Sequence, residues 1–285
     1  MNILITGSKG QLGSEILNIS KEYSHCAFFF TDVEELDITN YESIKAFASS
    51  CKINAVINCA AYTAVDKAET EKELAYKINA LGPKNLAQFC EEYGAKMIHI
   101  STDYVFDGTA HVPINESDLV SPLGVYGETK LVGEQFVLNT KSDSIVIRTS
   151  WLYSVYGNNF VKTMRRLGAE KTELSVVWDQ VGTPTNASDL ARVCVDIISQ
   201  AGALSEKGKI YHYSNEGVAS WYDFAHSIME ISGLKCTINA IESKDYPTPT
   251  KRPHYSVMNK AKIKNDFDIL VPHWRDSLKT CIAKL

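Results

Sequence analysis

The sequence of 285 residues lacks the features that mark several classes of protein. No apolar run reaches the roughly 18 residues that a membrane span needs, and no positively charged segment precedes the first apolar stretch, as it would in a secretory signal peptide. There is no basic run, and the net charge is −5, which disfavours nucleic acids and anionic membranes as partners. The sequence therefore predicts a protein without a membrane or nucleic-acid partner.

The seven cysteines show no pattern that indicates disulfides or a zinc site. Their number is odd, and no two of them have the C-x-x-C spacing. Most lie in apolar segments, as Cys59 and Cys194 do, which is typical of small buried side chains. This usage fits a reducing compartment, so we expect a cytoplasmic protein.

Short apolar segments alternate with helical patterns through the first half of the chain. Strands are predicted at 3–5, 27–30, 55–57, 97–100 and 145–147, with helical stretches between them. Continuous apolar strands separated by helices indicate a parallel sheet that is buried on both faces. With right-handed crossovers, this pattern predicts a Rossmann-like, doubly wound α/β domain.

The alternation becomes irregular after residue 150, which indicates a second, smaller α/β lobe. We expect residues 1–150, with a return at about 182–212, to form an NAD(P)-binding domain. Residues 151–181 and 213–285 would form the lobe that binds the substrate. Three prolines between 245 and 253 predict an ordered binding loop in that lobe.

A glycine-rich loop follows the first predicted strand directly. Gly7, Gly10 and Gly13 form the pattern G-x-x-G-x-x-G. Glycines let the backbone approach a pyrophosphate, and the following helix N-terminus offers free N–H groups and the positive end of its dipole. Because the pattern lies between a strand and a helix, it predicts a dinucleotide site rather than a tight turn without a ligand.

Acidic side chains follow the second predicted strand. Asp32 lies about 20 residues beyond the glycine loop, where a carboxylate accepts a hydrogen bond from the ribose 2′-hydroxyl. No arginine follows it closely, although Lys9 could supply a cation for a 2′-phosphate, so NADH and NADPH both stay open. Asp37 with Ile38 is placed either to meet the adenine or to form the turn before the next helix.

Tyr126 and Lys130 are spaced to share one face of a helix that follows the strand ending at Thr102. A lysine ammonium beside a phenol favours the phenolate, so we expect the pKa of Tyr126 to fall. Such a tyrosine can exchange a proton with a substrate oxygen. Tyr41 and Lys45 have the same spacing, but there we predict a solvated helix face.

Together these pieces resemble the extended short-chain dehydrogenase/reductase family. Finer motifs narrow the resemblance to the dTDP-4-dehydrorhamnose reductases, and they span nearly the whole chain. These motifs are 58–69 (NCAAYTAVDKAE), 101–108 (STDYVFDG), 148–153 (RTSWLY), 157–160 (GNNF), 179–185 (DQVGTPT) and 246–253 (YPTPTKRP).

The resemblance implies reduction of the 4-keto group of dTDP-4-dehydro-L-rhamnose by NADPH or NADH, which gives dTDP-L-rhamnose for cell-surface polysaccharides. It implies that Tyr126 gives the proton, that Lys130 holds the nicotinamide ribose and lowers the tyrosine pKa, and that Thr102 binds the substrate carbonyl. Placed donors of this kind stabilise the charge that develops on the oxygen. The expected catalytic residues are therefore Tyr126, Lys130 and Thr102.

The family also implies that Gly10, Gln11 and Leu12 cover the pyrophosphate and that the segment 61–63 lines the cofactor. The expected cofactor-binding residues are Gly7, Gly10, Gln11, Leu12, Gly13, Asp32, Asp37, Ile38, Ala61, Tyr62, Thr63, Tyr126 and Lys130.

Two further side chains are candidates for the sugar nucleotide. Trp151 lies just past the fifth strand, where it is either a flat wall for the sugar or a core residue between the two regions. Arg252 is either a partner of the substrate diphosphate or a surface residue. The expected substrate-binding residues are Thr102, Asp103, Tyr126, Trp151 and Arg252.

Some members of the family are described as magnesium-dependent dimers, and this chain matches their acidic positions only in part. Glu15 matches one position, Asp189 replaces a glutamate at another, and the C-terminus has no acidic residue. We therefore predict no metal, although magnesium stays open, and we expect a monomer or a homodimer.

Alternative functions are another nucleotide-sugar 4-keto reductase, an epimerase, or a non-catalytic regulatory subunit of the methionine adenosyltransferase type. A dehydratase is disfavoured, because Tyr104 stands where dehydratases of the superfamily carry an acid.

Overall fold

The computed structural model of the protein describes residues 1–200 and 209–285. Its strands are β1 (Asn2–Thr6), β2 (Ala27–Thr31), β3 (Ala55–Asn58), β4 (Lys96–Thr102), β5 (Ser144–Thr149), β6 (Leu152–Tyr153), β7 (Glu173–Val177), β8 (Val181–Gly182), β9 (Thr185–Asn186), β10 (Lys209–His212), β11 (Ala219–Ser220) and β12 (Thr237–Ile241). Its α-helices are α1 (Gln11–Ile19), α2 (Tyr41–Ser50), α3 (Val65–Ala68), α4 (Lys72–Tyr76), α5 (Gly82–Tyr93), α6 (Val125–Leu138), α7 (Phe160–Glu170), α8 (Ala187–Ser199), α9 (Trp221–Ser232), α10 (Ala261–Phe267) and α11 (Trp274–Ile282).

The main sheet has six strands in the order β10-β5-β4-β3-β1-β2, and every neighbouring pair is parallel. From β1 the chain moves to β2 on one side and then returns to β3 on the other side. In an open parallel sheet, ligands bind in the crevice that this reversal opens at the carboxyl ends of the strands. The prediction of a Rossmann-like, doubly wound parallel sheet is confirmed.

The sheet is buried on both faces, as its continuous apolar strands require. On one face, Ile3 and Ile5 of β1 pack in a cluster with Ile16 of α1 and Leu190 of α8. On the other face, Leu4 of β1 joins a cluster that α2 and α5 cover. Strand side chains alternate between the faces, so consecutive residues of β1 anchor both helical layers.

A smaller region forms around a third apolar cluster, which contains Phe224 of α9 and Trp274 of α11. In this region β7 pairs in parallel with β12, and β8 pairs antiparallel with β11.

Helix α8 packs on α1, and β10 extends the main sheet beside β5. Residues 201–208 of the return expected at 182–212 lie outside the described residues. Ile263 of α10 packs in the cluster that contains Ile3 and Ile5 of the main sheet.

A π-helical turn interrupts the helical segment between β3 and β4. The turn, Lys77–Leu81, joins α4 directly to α5. It buries the side chain of Asn79 completely.

In the part of the chain that the structure describes, no helix is long and apolar enough to cross a bilayer.

Candidate functional site

A cleft of about 870 Å³ opens at the carboxyl edge of the main sheet. Its walls are the glycine loop, the ends of β2, β3, β4 and β5, helix α6, and the segment after β5. Of the expected site residues, the cleft brings together Gly7, Gly10, Gln11, Leu12, Asp32, Asp37, Ile38, Ala61, Thr63, Thr102, Asp103, Tyr126, Lys130 and Trp151. Gly13, Tyr62 and Arg252 are not among its lining residues.

The glycine loop closes tightly against the segment that directly follows β3. Gly7 has a left-handed φ of +65°, and a Cβ there would lie 2.7 Å from the Cα of Ala60. A Cβ on Gly13 would lie 2.5 Å from the carbonyl oxygen of Gly7, so Gly13 lets α1 pack close to the loop. Gly10 precedes α1 and has no side chain to cap it, which leaves the amides of the first turn for an anion.

The end of β2 forms an acidic corner of the cleft. Asp32 accepts hydrogen bonds from the backbone amide of Lys9 at 3.0 Å and from that of Val33 at 2.9 Å. The Lys9 ammonium, the cation considered for a 2′-phosphate, lies 2.5 Å from Glu34 and 3.3 Å from Glu35. Lys9 is therefore already paired with carboxylates, and its charge is balanced within this corner.

Asp37 and Ile38 occupy different surroundings, although both line the cleft. Asp37 is exposed and accepts a hydrogen bond from the amide of Thr39 at 2.8 Å, as a turn residue does. Ile38 is buried against the start of α5, where a Cβ on Gly82 would lie 2.5 Å from its Cδ1. Ile38 thus provides an apolar surface at the far end of the cleft.

Asn79 in the π-helical turn fixes the loop that follows β3. Its amide accepts from the backbone N–H of Tyr62 at 2.8 Å and donates to the backbone oxygen of Tyr62 at 3.0 Å. The same side chain donates to Thr129 on α6 at 3.2 Å. The Tyr62 hydroxyl donates to Glu71 at 2.7 Å, so both the backbone and the side chain of Tyr62 are held in place. Sequence reasoning missed Asn79, because a π turn has no simple residue pattern.

Thr102, Tyr126 and Lys130 meet at the floor of the cleft. All three are buried, with exposed fractions of 5%, 9% and 2%. Thr102 ends β4, and helix α6 places Tyr126 and Lys130 on one face. The Lys130 ammonium donates to the backbone oxygen of Ile100 at 2.6 Å.

The electrostatics of this group differ from the expectation. Burial raises the pKa of Tyr126, and the nearby Thr102 hydroxyl acts against the rise. Burial also lowers the pKa of Lys130 to about 8, against the attraction of Glu134 on the next turn. The expected fall in the tyrosine pKa is therefore wrong for this state of the protein. The Lys130 ammonium donates to a backbone carbonyl. It does not offset the rise in the tyrosine pKa that the loss of water around the phenol causes.

Asp103 lies beside Thr102 and is almost completely buried. Its carboxylate accepts a hydrogen bond from the Thr102 hydroxyl at 3.1 Å. Burial raises the pKa of Asp103 to about 6. The side chain therefore carries its charge at neutral pH but loses it in mild acid.

Trp151 forms one wall of the cleft in an unusual backbone conformation. Its φ is +49°, in the left-handed region that bulky residues rarely adopt. Its indole stacks on that of Trp221 with ring centroids 3.7 Å apart and an interplanar angle of 10°. Sequence reasoning singled out Trp151 but missed Trp221, which comes from a distant part of the chain.

Arg252 lies behind the cleft rather than in its wall. Its guanidinium donates to Asp66 at 2.9 Å and to the hydroxyl of Tyr104 at 3.2 Å. Tyr104 in turn meets Tyr126 edge-on, with centroids 5.4 Å apart. Tyr104 therefore connects Arg252 of the proline loop to Tyr126 at the floor of the cleft.

The segment after β6 crosses the glycine loop. Gly157, Asn158 and Asn159 line the cleft, and the Asn159 amide donates to the side-chain oxygen of Gln11 at 3.0 Å. Asn159 also caps α7, because its side chain accepts from the amide of Lys162. The loop that would cover a pyrophosphate is therefore tied to the first helix of the smaller region.

Known proteins are similar to this chain over its whole length. The family model described as the RmlD substrate binding domain matches residues 1–285. The chain is 40% identical over 289 residues to the dTDP-4-dehydrorhamnose reductase of Aggregatibacter actinomycetemcomitans, an alignment that covers 99% of this chain and 98% of that protein. The chain belongs to the dTDP-4-dehydrorhamnose reductase family.

Two solved structures of such reductases have the same fold. The enzyme of Clostridium acetobutylicum is 45% identical, with a TM-score of 0.93 and coverage of 100% of this chain and 99% of that one. The reductase of Bacillus anthracis, solved in complex with NADP, is 37% identical, with the same TM-score of 0.93 and the same coverage. The resemblance inferred from the motifs is confirmed.

The acidic positions that some reductases of this family use for magnesium are engaged with protein groups here. Glu15 accepts a hydrogen bond from Ser154 at 2.6 Å. Asp189 accepts from Ser277 at 2.5 Å and from Asn215 at 2.7 Å. Within residues 1–200 and 209–285, no three His, Cys, Asp or Glu side chains group closely enough to hold a metal ion.

Proposed function

We propose that this protein catalyses the NADPH- or NADH-dependent reduction of the 4-keto group of dTDP-4-dehydro-β-L-rhamnose to give dTDP-L-rhamnose. One observation carries the proposal. Thr102, Tyr126 and Lys130 share a single cleft with the glycine loop, in a chain that belongs to the dTDP-4-dehydrorhamnose reductase family.

The residues present fit a nicotinamide dinucleotide. The close approach of Gly7 to Ala60 and the uncapped start of α1 leave backbone amides for a pyrophosphate. Asp32 would hold the adenosine ribose, and Lys130 would hold the nicotinamide ribose. When bound, the reduced cofactor supplies the reducing equivalents for the carbonyl carbon, and the protein supplies position and charge.

Tyr126 would protonate the oxygen that becomes the 4-hydroxyl. Its raised pKa keeps the phenol protonated at neutral pH, so the proton is available when the carbonyl oxygen gains negative charge. The alkoxide that forms is a stronger base than a phenolate, so the transfer remains favourable. The Thr102 hydroxyl, which donates to Asp103 in the structure, would turn to give a second hydrogen bond to the same oxygen, and two placed donors in a buried site stabilise the developing charge.

We assign the sugar nucleotide to the side of the cleft that faces the smaller region. Trp151 would form a flat wall against the sugar, beside Asp103 and Thr102. Arg252 would act on the diphosphate, in competition with its present partner Asp66. In this proposal, residues 1–150 with the return at about 182–212 bind the cofactor, and 151–181 with 213–285 bind the sugar nucleotide.

A coupled assay tests the function. The substrate is made from dTDP-glucose by the preceding dehydratase and epimerase, and NADPH or NADH oxidation is followed together with the sugar product. We expect cofactor oxidation and dTDP-L-rhamnose in equal amounts. Oxidation with a different nucleotide sugar only would indicate another 4-keto reductase, and a rearranged sugar without net oxidation would indicate an epimerase. A copurifying methionine adenosyltransferase without any turnover would indicate the regulatory subunit.

We further propose that the protein acts in the cytoplasm as a monomer or homodimer. All seven cysteines are free thiols in the structure, which supports a reducing compartment. Sedimentation at several protein concentrations decides between the two oligomeric states.

A further inference from the structure

The strained wall residue Trp151 requires a support. A bulky side chain at a positive φ persists only where its surroundings hold it, and such positions concentrate at ligand sites. Two hydrogen bonds, one from a backbone amide and one from a side chain, fix the main chain here. The amide of Thr185 donates to the carbonyl of Trp151 at 3.1 Å, and the Ser150 hydroxyl donates to the carbonyl of Thr183 at 2.9 Å. These bonds hold the main chain, but they do not fix the rotation of the indole. The groups that pack against the indole fix that rotation.

The indole of Trp151 is confined by two groups. One is Gly182 in β8, where an added Cβ would lie 2.8 Å from Cε2 of the indole. The other is Trp221, whose ring lies nearly parallel at 3.7 Å. Trp221 does not line the cleft, so its ring supports Trp151 from behind.

Trp221 is itself held rigidly. Strand β11 pairs with β8, with Ala219 opposite Gly182, so one short ladder sets the distance between the two groups that confine Trp151. Trp221 is the first residue of α9, directly after Ser220, which forms a capping box with Asp223. The ring of Phe160 packs against Trp221 with centroids 4.7 Å apart.

We propose that Trp221 is a positioning residue for the sugar: it holds the Trp151 indole at the angle that fits the substrate ring. The inference rests on the proposed function and on the assignment of Trp151 to the sugar. It predicts that removal of the Trp221 ring weakens recognition of the sugar and leaves recognition of the cofactor and of the nucleotide alone unchanged.

The test uses the variants Trp221→Ala, Trp221→Leu and Trp221→Phe. For each, it measures the KM for the sugar nucleotide, the KM for NADPH and the inhibition constant of dTDP. For Trp221→Ala we expect the KM for the sugar nucleotide to rise about three- to tenfold, the scale of one aromatic contact. The KM for NADPH and the inhibition constant of dTDP, which has no sugar, should stay within about twofold. Trp221→Phe keeps a flat ring and should largely restore the sugar-nucleotide KM, whereas Trp221→Leu should not.

Several results would overturn the inference. One is an unchanged KM for the sugar nucleotide in Trp221→Ala; another is an equal loss for NADPH and dTDP, which would indicate general loosening of the region. If Trp221→Ala does not fold, the comparison of Leu with Phe decides, and equal KM values in these two would contradict a role for the flat ring. If the wild-type enzyme does not reduce the substrate, that result would instead contradict the proposed function.

Discussion

Replacement of Tyr126 by Phe should almost abolish reduction. The substitution removes one hydroxyl from a buried ring, and the edge-on contact of that ring with Tyr104 remains possible. The Thr102 hydroxyl has partners of its own, the Asp103 carboxylate and the Tyr104 amide, so the substitution does not leave it unpaired. Loss of a general acid typically costs about 10²- to 10⁴-fold in rate, and we expect kcat to fall within that range.

The assay separates chemistry from binding. Single-turnover rates with saturating sugar nucleotide report the chemical step, and a fluorescence titration of NADPH reports cofactor binding. We expect the NADPH dissociation constant to change less than about threefold, because the glycine loop and Asp32 lie on other elements of the fold.

Tyr41→Phe is the matched control. Tyr41 has the same four-residue spacing to a lysine, and its hydroxyl donates to Glu92 at 2.5 Å on the surface of the protein. The control therefore also removes one phenolic hydroxyl, but far from the cleft, and its activity should equal that of the wild type. A Tyr126→Phe enzyme with half the wild-type rate would refute the assignment of Tyr126 as the proton donor.

The other predictions concern the charged groups of the site. Because burial lowers the pKa of Lys130 to about 8, the ammonium is charged below that pH and neutral above it, and Tyr126 stays protonated across this range. We therefore expect kcat/KM to fall above about pH 8; a flat profile up to pH 10 would contradict a need for the charge. Arg252→Ala should raise the KM for the sugar nucleotide about tenfold or more, since a charge-assisted hydrogen bond contributes about 1.5–3 kcal/mol, while Lys251→Ala, the exposed neighbouring cation, should change it little. Asp32→Ala should raise the KM for NADH more than that for NADPH, because the carboxylate accepts from a 2′-hydroxyl and repels a 2′-phosphate; steady-state kinetics with each cofactor decide this.

Local spacing along the chain was enough to predict the elements of the main sheet and the glycine loop. Strands β1 to β5 contain the short apolar runs that the sequence predicted, and such runs favour burial on both faces of a sheet. Gly7 directly follows β1 and Gly13 lies in the first turn of α1, as their places in the sequence predict. The common face of Tyr126 and Lys130 follows from the helical repeat alone.

Contacts between distant segments were not visible in the sequence. The stack of Trp221 on Trp151 depends on the pairing of β11 with β8, and two-residue strands have no recognisable pattern. The bond from Asn159 to Gln11 likewise joins two regions that only the fold brings together. Arg252 was recognised as a cation, but its pairing with Asp66 could not be foreseen.

The pKa of Tyr126 shows most clearly what only the tertiary structure decides. The sequence places a lysine one turn away and so predicts a lower pKa for the phenol. Folding removes water from both side chains and gives the ammonium of Lys130 a backbone carbonyl, that of Ile100, as its partner. The direction of the shift depends on the sum of desolvation and all neighbouring charges, and that sum is a property of the packed site rather than of residue spacing.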